Sequence, residues 1–178
     1  MGRPIYLIGP RACGKTTIAR MLVERLDGYT AVDTDELFCE RSGQSIADFV
    51  AANGWTRFRE EEQKTLQACA ELARSKNLIV ATGGGIVLDP RNCQLMRSSG
   101  WVCYLKVPER VLIERLCADP KAEQRPALGP GSVQEEVHSV LAKRAELYES
   151  CASYVLAADR PLQELCRELA EQFRESAK

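Results

Sequence analysis

Residues 9–16 read Gly9-Pro10-Arg11-Ala12-Cys13-Gly14-Lys15-Thr16 and fit the pattern G-x-x-x-x-G-K-[ST]. The pattern takes its meaning from its flanks. Upstream, Pro4 to Gly9 is a short apolar run that ends in glycine, and downstream Ile18, Met21, Leu22 and Leu26 recur at helical spacing. A strand, a loop and a helix are predicted in that order. In such a loop the glycines let the backbone curl until successive N–H groups face one anion, and the helix N-terminus adds the positive end of its dipole. Gly9, Arg11, Ala12, Cys13, Gly14, Lys15, Thr16 and Thr17 are therefore expected to cradle nucleotide phosphates. Lys15 would neutralise the β- and γ-oxygens, and the Thr16 hydroxyl would reach Mg2+.

Away from this loop, the same pattern of brief β-branched or aromatic runs returns at Tyr29 to Val32, Asn77 to Thr82 and Trp101 to Val107, and more faintly at Tyr154 to Ala158. Amphipathic helical spacing marks Glu109 to Cys117 and Leu162 to Phe173. Alternating strands and helices predict an α/β fold with a mainly parallel, doubly wound sheet. Two stretches break the alternation. Residues 33–74 are helical in pattern throughout, with Ser45-Ile46-Ala47-Asp48 resembling a capping box, and residues 118–131 are rich in Pro, Gly and charge and read as a mobile loop.

At 178 residues the chain suits one domain, large enough to bury a core without staples. A formal net charge of −1 offers no general affinity for nucleic acid. No apolar run approaches the roughly 20 residues of a membrane span, and no signal-peptide pattern precedes the first strand, so a cytoplasmic protein with no membrane partner is expected. The eight cysteines are scattered without a C-x-x-C pair, and one histidine joins them, which argues against zinc and for reduced thiols in the core. Cys13, inside the phosphate loop, would make turnover sensitive to thiol oxidation.

Further candidates lie near predicted strand ends. Asp33-Thr34-Asp35 closes the second strand, and residues i and i+2 of an extended chain project together; a helix N-cap with an acid in its first turn is the alternative. Gly83-Gly84-Gly85 follows the third strand, either as backbone N–H groups bared toward a ligand or as a plain tight turn. Arg59 and Glu62 stand one helical turn apart, the spacing of a surface ion pair. Arg144 shares a stripe with Val137, Leu141 and Tyr148 and so faces the interior, where it needs an anionic partner that the stripe does not supply. A substrate carboxylate would serve. Arg125, in the loop 118–131, could close over a γ-phosphate, whereas His138 lies off its helix's apolar stripe and receives no role.

In order along the chain, GPRACGKT, DTD, FRxxE, TGGG, the loop dipeptide Arg125-Pro126 and KRAELY resemble the shikimate kinases, over nearly the whole length. That resemblance implies a three-layer P-loop kinase fold with a five-stranded parallel sheet, a substrate-binding helical insertion at 33–74 and a lid at 118–131. It implies ATP and Mg2+ as cosubstrates and, as the reaction, phosphorylation of the shikimate 3-hydroxyl in aromatic amino acid biosynthesis. By the same resemblance Lys15, Asp35 and Arg125 are catalytic, and Thr16 and Asp33 attend the metal. Asp35, Arg59, Gly83, Gly84, Gly85, Arg125 and Arg144 contact shikimate, with Glu62 positioning Arg59, and Arg115 and Arg160 match the adenine-side arginines. A gluconate-type kinase on the same fold is the rival reading, and a monomer is expected. The departures are Cys13 and the small Ala127 after the lid proline.

Overall fold

Among the residues described by the computed structural model, 2–118 and 131–176, five strands form: β1 (Ile5–Ile8), β2 (Tyr29–Asp33), β3 (Asn77–Ala81), β4 (Trp101–Lys106) and β5 (Tyr154–Ala157). Every pairing is parallel, and the strand order is β2-β3-β1-β4-β5. Each strand ends within a residue or two of its predicted limits. Central strands read as unbroken apolar runs because both of their faces are covered, whereas the edge strands β2 and β5 keep exposed positions.

Alternation along each central strand divides the core in two. Ile5, Leu7, Ile79, Trp101, Cys103 and Leu105 face one side, where α1 (Lys15–Val23), α5 (Glu109–Cys117) and α7 (Leu162–Ser176) cover them. Tyr6, Ile8, Leu78, Val80, Val102 and Tyr104 face the other, under α3 (Ile46–Leu72), α4 (Pro90–Ser99) and the C-terminal half of α6 (Val133–Cys151). Helix α6 begins with the reciprocal Ser132–Glu135 capping box. Five of the eight cysteines are buried and all are free thiols.

The chain leaves β1 toward β2 on one side, while the connection from β3 crosses to β4 on the other. Ligands of open α/β sheets bind in the crevice that such a reversal opens beyond the carboxyl ends of the strands. The backbone N–H and hydroxyl of Thr82 both donate to the Leu7 carbonyl, at 3.2 and 3.0 Å, and tie the end of β3 to β1 at that crevice.

Helices α2 (Thr34–Ser42) and α3 make up the insertion. Ser45 caps α3 by accepting from the Asp48 N–H at 3.1 Å. The second half of the expected capping box differs: the Ser45 hydroxyl donates to the Asp48 carboxylate at 2.6 Å, because aspartate is one methylene shorter than the glutamate that reaches back to a cap N–H. Gly54, at φ 80° and ψ 166°, interrupts the helical backbone of α3. Beyond that break, Phe58 meets Phe38 edge-to-face at 5.2 Å, and Phe38 meets Phe49 at 5.1 Å. These rings form a small core separate from the two sheet faces. Truncating the central ring by Phe38→Ala should lower unfolding free energy by about 3 kcal/mol in a urea titration, the usual cost of deleting a buried aromatic side chain.

Candidate active site

The loop between β1 and α1 bends through three left-handed residues: Gly9 (φ 143°), Ala12 (φ 62°) and Gly14 (φ 100°). A side chain at Gly9 would approach the Leu105 carbonyl to 3.0 Å, and Gly14 is the N-cap of α1, so glycine is required at both. Ala12 adopts that conformation without glycine's freedom, a local strain of the kind found at ligand-holding loops. Lys15 is buried, and its ammonium donates to the Gly9 and Pro10 carbonyls at 2.9 and 2.7 Å and to the Cys13 sulfur at 3.4 Å. Cys13 is only 1% exposed, so its position in the loop does not present the thiol to oxidant as the sequence suggested.

Thr16, at the start of α1, donates its hydroxyl to Asp33 at 2.5 Å. The other carboxylate oxygen of Asp33 accepts from the N–H groups of Asp35 and Glu36 at 2.9 and 3.3 Å. Asp33 is thus both the last residue of β2 and the N-cap of α2, and Asp35 lies in the first helical turn. Of the two readings of this tripeptide, the helix N-cap with an acid in its first turn is the one that forms, not two carboxylates projected side by side by an extended chain. The backbone turns at Thr34, since the helix N-terminus is the better partner for both charges.

Thr34 is buried, and its hydroxyl oxygen accepts from the Gly83 N–H at 3.0 Å. A Cβ at Gly83 would lie 2.7 Å from a Glu62 carboxylate oxygen and 2.9 Å from one of Asp35, so both acids close on this glycine. One at Gly85 would collide with the Arg59 guanidinium. The three glycines are the floor on which charged groups rest, not merely a tight turn. Arg59 bonds Glu62 at 2.6 Å and lies 5.4 and 5.3 Å from the ring centroids of Trp55 and Phe58. Glu62 is buried, and desolvation lifts its carboxyl above the usual glutamate range against the opposing pull of Arg59; Asp35 adds to the rise and Arg144 opposes it. Arg144 donates to the Gly84 carbonyl at 3.0 Å. Its acidic neighbour comes from α3 and not from its own helix.

These groups line one cavity of about 1110 Å³, which includes Arg11, Ala12, Gly14, Lys15, Thr16, Thr17, Asp33, Asp35, Arg59, Gly83, Gly84, Gly85, Arg115 and Arg144. Arg115 reaches the phosphate loop through the Ala12 carbonyl at 3.2 Å. Gly9 and Cys13 are buried within the loop and do not line the cavity. Arg160 does not itself line it. Glu168 of α7 holds its guanidinium at 2.6 Å, and Leu162 reaches the cavity instead. Arg125 lies outside the described residues. Sequence reasoning passed over Trp55 and Thr34: Trp55 sits next to Gly54, a glycine inside a helical pattern that could have flagged the turn, whereas nothing along the chain marks Thr34 as a bond to Gly83.

A strained phosphate loop ending in Lys15 and Thr16, at the carboxyl edge of a parallel sheet and facing an acid-and-arginine pocket, defines a P-loop phosphotransferase. A family model described as shikimate kinase matches residues 11–174. "Shikimate kinase 2" of Dickeya chrysanthemi is 45% identical over 98% of this chain and 98% of its own length. A shikimate kinase of Oleidesulfovibrio alaskensis is 47% identical over 88% and 89%. The solved structure of shikimate kinase from Acinetobacter baumannii in complex with shikimate superposes with a TM-score of 0.84 at 29% identity, covering 99% of this chain and 93% of that one. The chain belongs to the shikimate kinase family, whose members are kinases that use ATP.

Because the folded-state pKa of Glu62 stands above its unfolded value, the stability it contributes is present below the ordinary glutamate pKa and is lost as pH rises through the raised value. Urea unfolding of the parent and Glu62→Gln at steps from roughly pH 4 to 7 should show the parent losing ground to the variant as pH rises. A pH-independent difference would contradict the raised value.

Proposed function

We infer that this protein transfers the γ-phosphoryl group of ATP to the 3-hydroxyl of shikimate. The observation that carries this is the shared cavity: Lys15 on the phosphate loop, Asp35 on α2, Arg59 on α3 and Arg144 on α6 all line it. Two guanidinium groups in one small pocket suit a carboxylate, which accepts paired N–H donors. Acidic Asp35 beside the glycine floor suits a polyol's hydroxyls.

In the mechanism we propose, Arg59 and Arg144 hold the shikimate carboxylate while Asp35 aligns the 3-hydroxyl and takes its proton. The hydroxyl oxygen forms the new bond to the γ-phosphorus as the bond from that phosphorus to the β,γ-bridging oxygen breaks, and ADP leaves. Lys15 neutralises charge on the phosphoryl oxygens, a task that positioning and electrostatics dominate in such transfers. Arg125 is assigned the same role from the loop at 118–131, on sequence alone.

Thr16 and Asp33 offer a hydroxyl and a carboxylate oxygen held together at 2.5 Å, hard oxygen donors that fit Mg2+, which protein sites typically bind through one or two such groups plus substrate phosphates. Thr16 would hold the ion directly and Asp33 through water, and the ion would neutralise phosphate charge when bound. The helical insertion at 33–74 serves as the shikimate-binding part and 118–131 as the lid. No helix among the described residues is long and apolar enough to cross a membrane. A cytoplasmic monomer is part of the proposal.

ADP release measured side by side with shikimate, gluconate and nucleoside monophosphates should be substantial with shikimate alone. Preference for either of the others would overturn the substrate assignment. Lys15→Ala should abolish measurable turnover, whereas Arg59→Ala should raise KM for shikimate by roughly 10- to 100-fold with a smaller effect on KM for ATP, as loss of a charged contact to bound substrate requires. Chelation of divalent cations should stop turnover, and added Mg2+ should restore it.

A further inference from the structure

Tyr148 lies on α6 one turn beyond Arg144, and its hydroxyl donates to the same acceptor, the Gly84 carbonyl, at 2.5 Å. The side chain is fully buried, and its ring stacks on Tyr104 of β4 with centroids 5.0 Å apart at 23°. The sheet therefore holds the phenol in place without help from any ligand. Burial also raises the phenol's pKa well above its ordinary value, so it stays a hydrogen donor.

A carbonyl oxygen has two lone pairs, and here Tyr148 and Arg144 each take one. Gly84 also abuts the phosphate loop, where an added Cβ would approach the Arg11 N–H nitrogen to 3.3 Å and the Gly9 carbonyl to 3.6 Å. The glycine floor is thereby fixed between α6 and the loop. Without the phenol, this carbonyl would depend on Arg144 alone. It would then compete with a substrate carboxylate for the guanidinium, because an unsatisfied acceptor in the interior is costly.

We propose that Tyr148 is a positioning residue: by holding the Gly84 carbonyl that Arg144 also binds, it keeps the glycine floor in place and sets the Arg144 guanidinium for the substrate carboxylate. This rests on the proposed shikimate kinase activity. It assigns Tyr148 no contact with substrate.

A double-mutant cycle tests it, with Tyr148→Phe, which keeps the stacked ring, and Arg144→Met, alone and together. Tyr148→Phe should raise KM for shikimate about three- to ten-fold, the range for one lost internal hydrogen bond, while kcat and KM for ATP change less than about two-fold. In the Arg144→Met background the same substitution should move KM for shikimate less than about two-fold, since the guanidinium it acts through is gone. An equal effect in both backgrounds, or an equal rise in KM for ATP, would mean general loosening and overturn the proposal. Amide exchange at Ile86, whose N–H donates to the Gly83 carbonyl at 3.2 Å, is a second measurement in the parent that survives a poorly folding variant. A floor held by Tyr148 is protected equally with and without shikimate, and protection that arises only with shikimate overturns the assignment. A parent that leaves shikimate unphosphorylated overturns the substrate assignment and this proposal together, whereas an active parent indifferent to Tyr148→Phe overturns this proposal alone.

Discussion

Strands β1 and β3 lie side by side at the centre of the sheet, and the Leu7 carbonyl accepts both the N–H and the hydroxyl of Thr82 where they end. That short tie brings two backbone segments face to face, the phosphate loop from β1 and the glycine floor from β3. A Cβ at Gly84 would press on the loop, 3.3 Å from the Arg11 nitrogen. The central charges of the cavity are arranged against these two backbones. Lys15 folds over the loop's own carbonyls, while Asp35, Glu62, Arg59 and Arg144 gather over the glycines.

Polar groups in the cavity are stabilised by sharing partners across elements. Asp33 satisfies the start of α2 and the Thr16 hydroxyl at once, and Glu62 sits near two arginines and a second acid. Such a cluster is costly to desolvate and is retained where a ligand completes it. The aromatic side chains around it have a different task. Phe38, Phe49 and Phe58 give the insertion a core of its own, which lets α3 turn at Gly54 and still present Arg59 to the cavity.

Much of this was legible along the chain because local chemistry writes it there. Apolar runs of strand length, amphipathic spacing in α5 and α7, and the glycines and lysine of the phosphate loop each follow from steric and hydrogen-bonding needs within a few residues. The acids at 33 and 35 were legible as residues, while their geometry stayed open between an extended pair and a helix N-cap, and the N-cap formed. Alternation along a strand applied only until the backbone turned into α2, and there the free N–H groups of a helix start outweighed it. The pairing of Arg160 with Glu168, eight residues on across a strand-to-helix turn, was hidden for a related reason: the sequence does not state that turn's direction.

The sequence by itself determined the element order, the parallel α/β class, the phosphate loop and the identity of the charged residues, because strands, helices and tight turns depend on interactions between near neighbours. Tertiary structure alone decided which groups distant along the chain meet. The bonds from Arg144 and Tyr148 to Gly84 span 60 and 64 residues, and the contact of Thr34 with Gly83 spans 49. Such pairings are set by how helices seat on a twisted sheet, a property of the whole core that no short stretch of chain encodes.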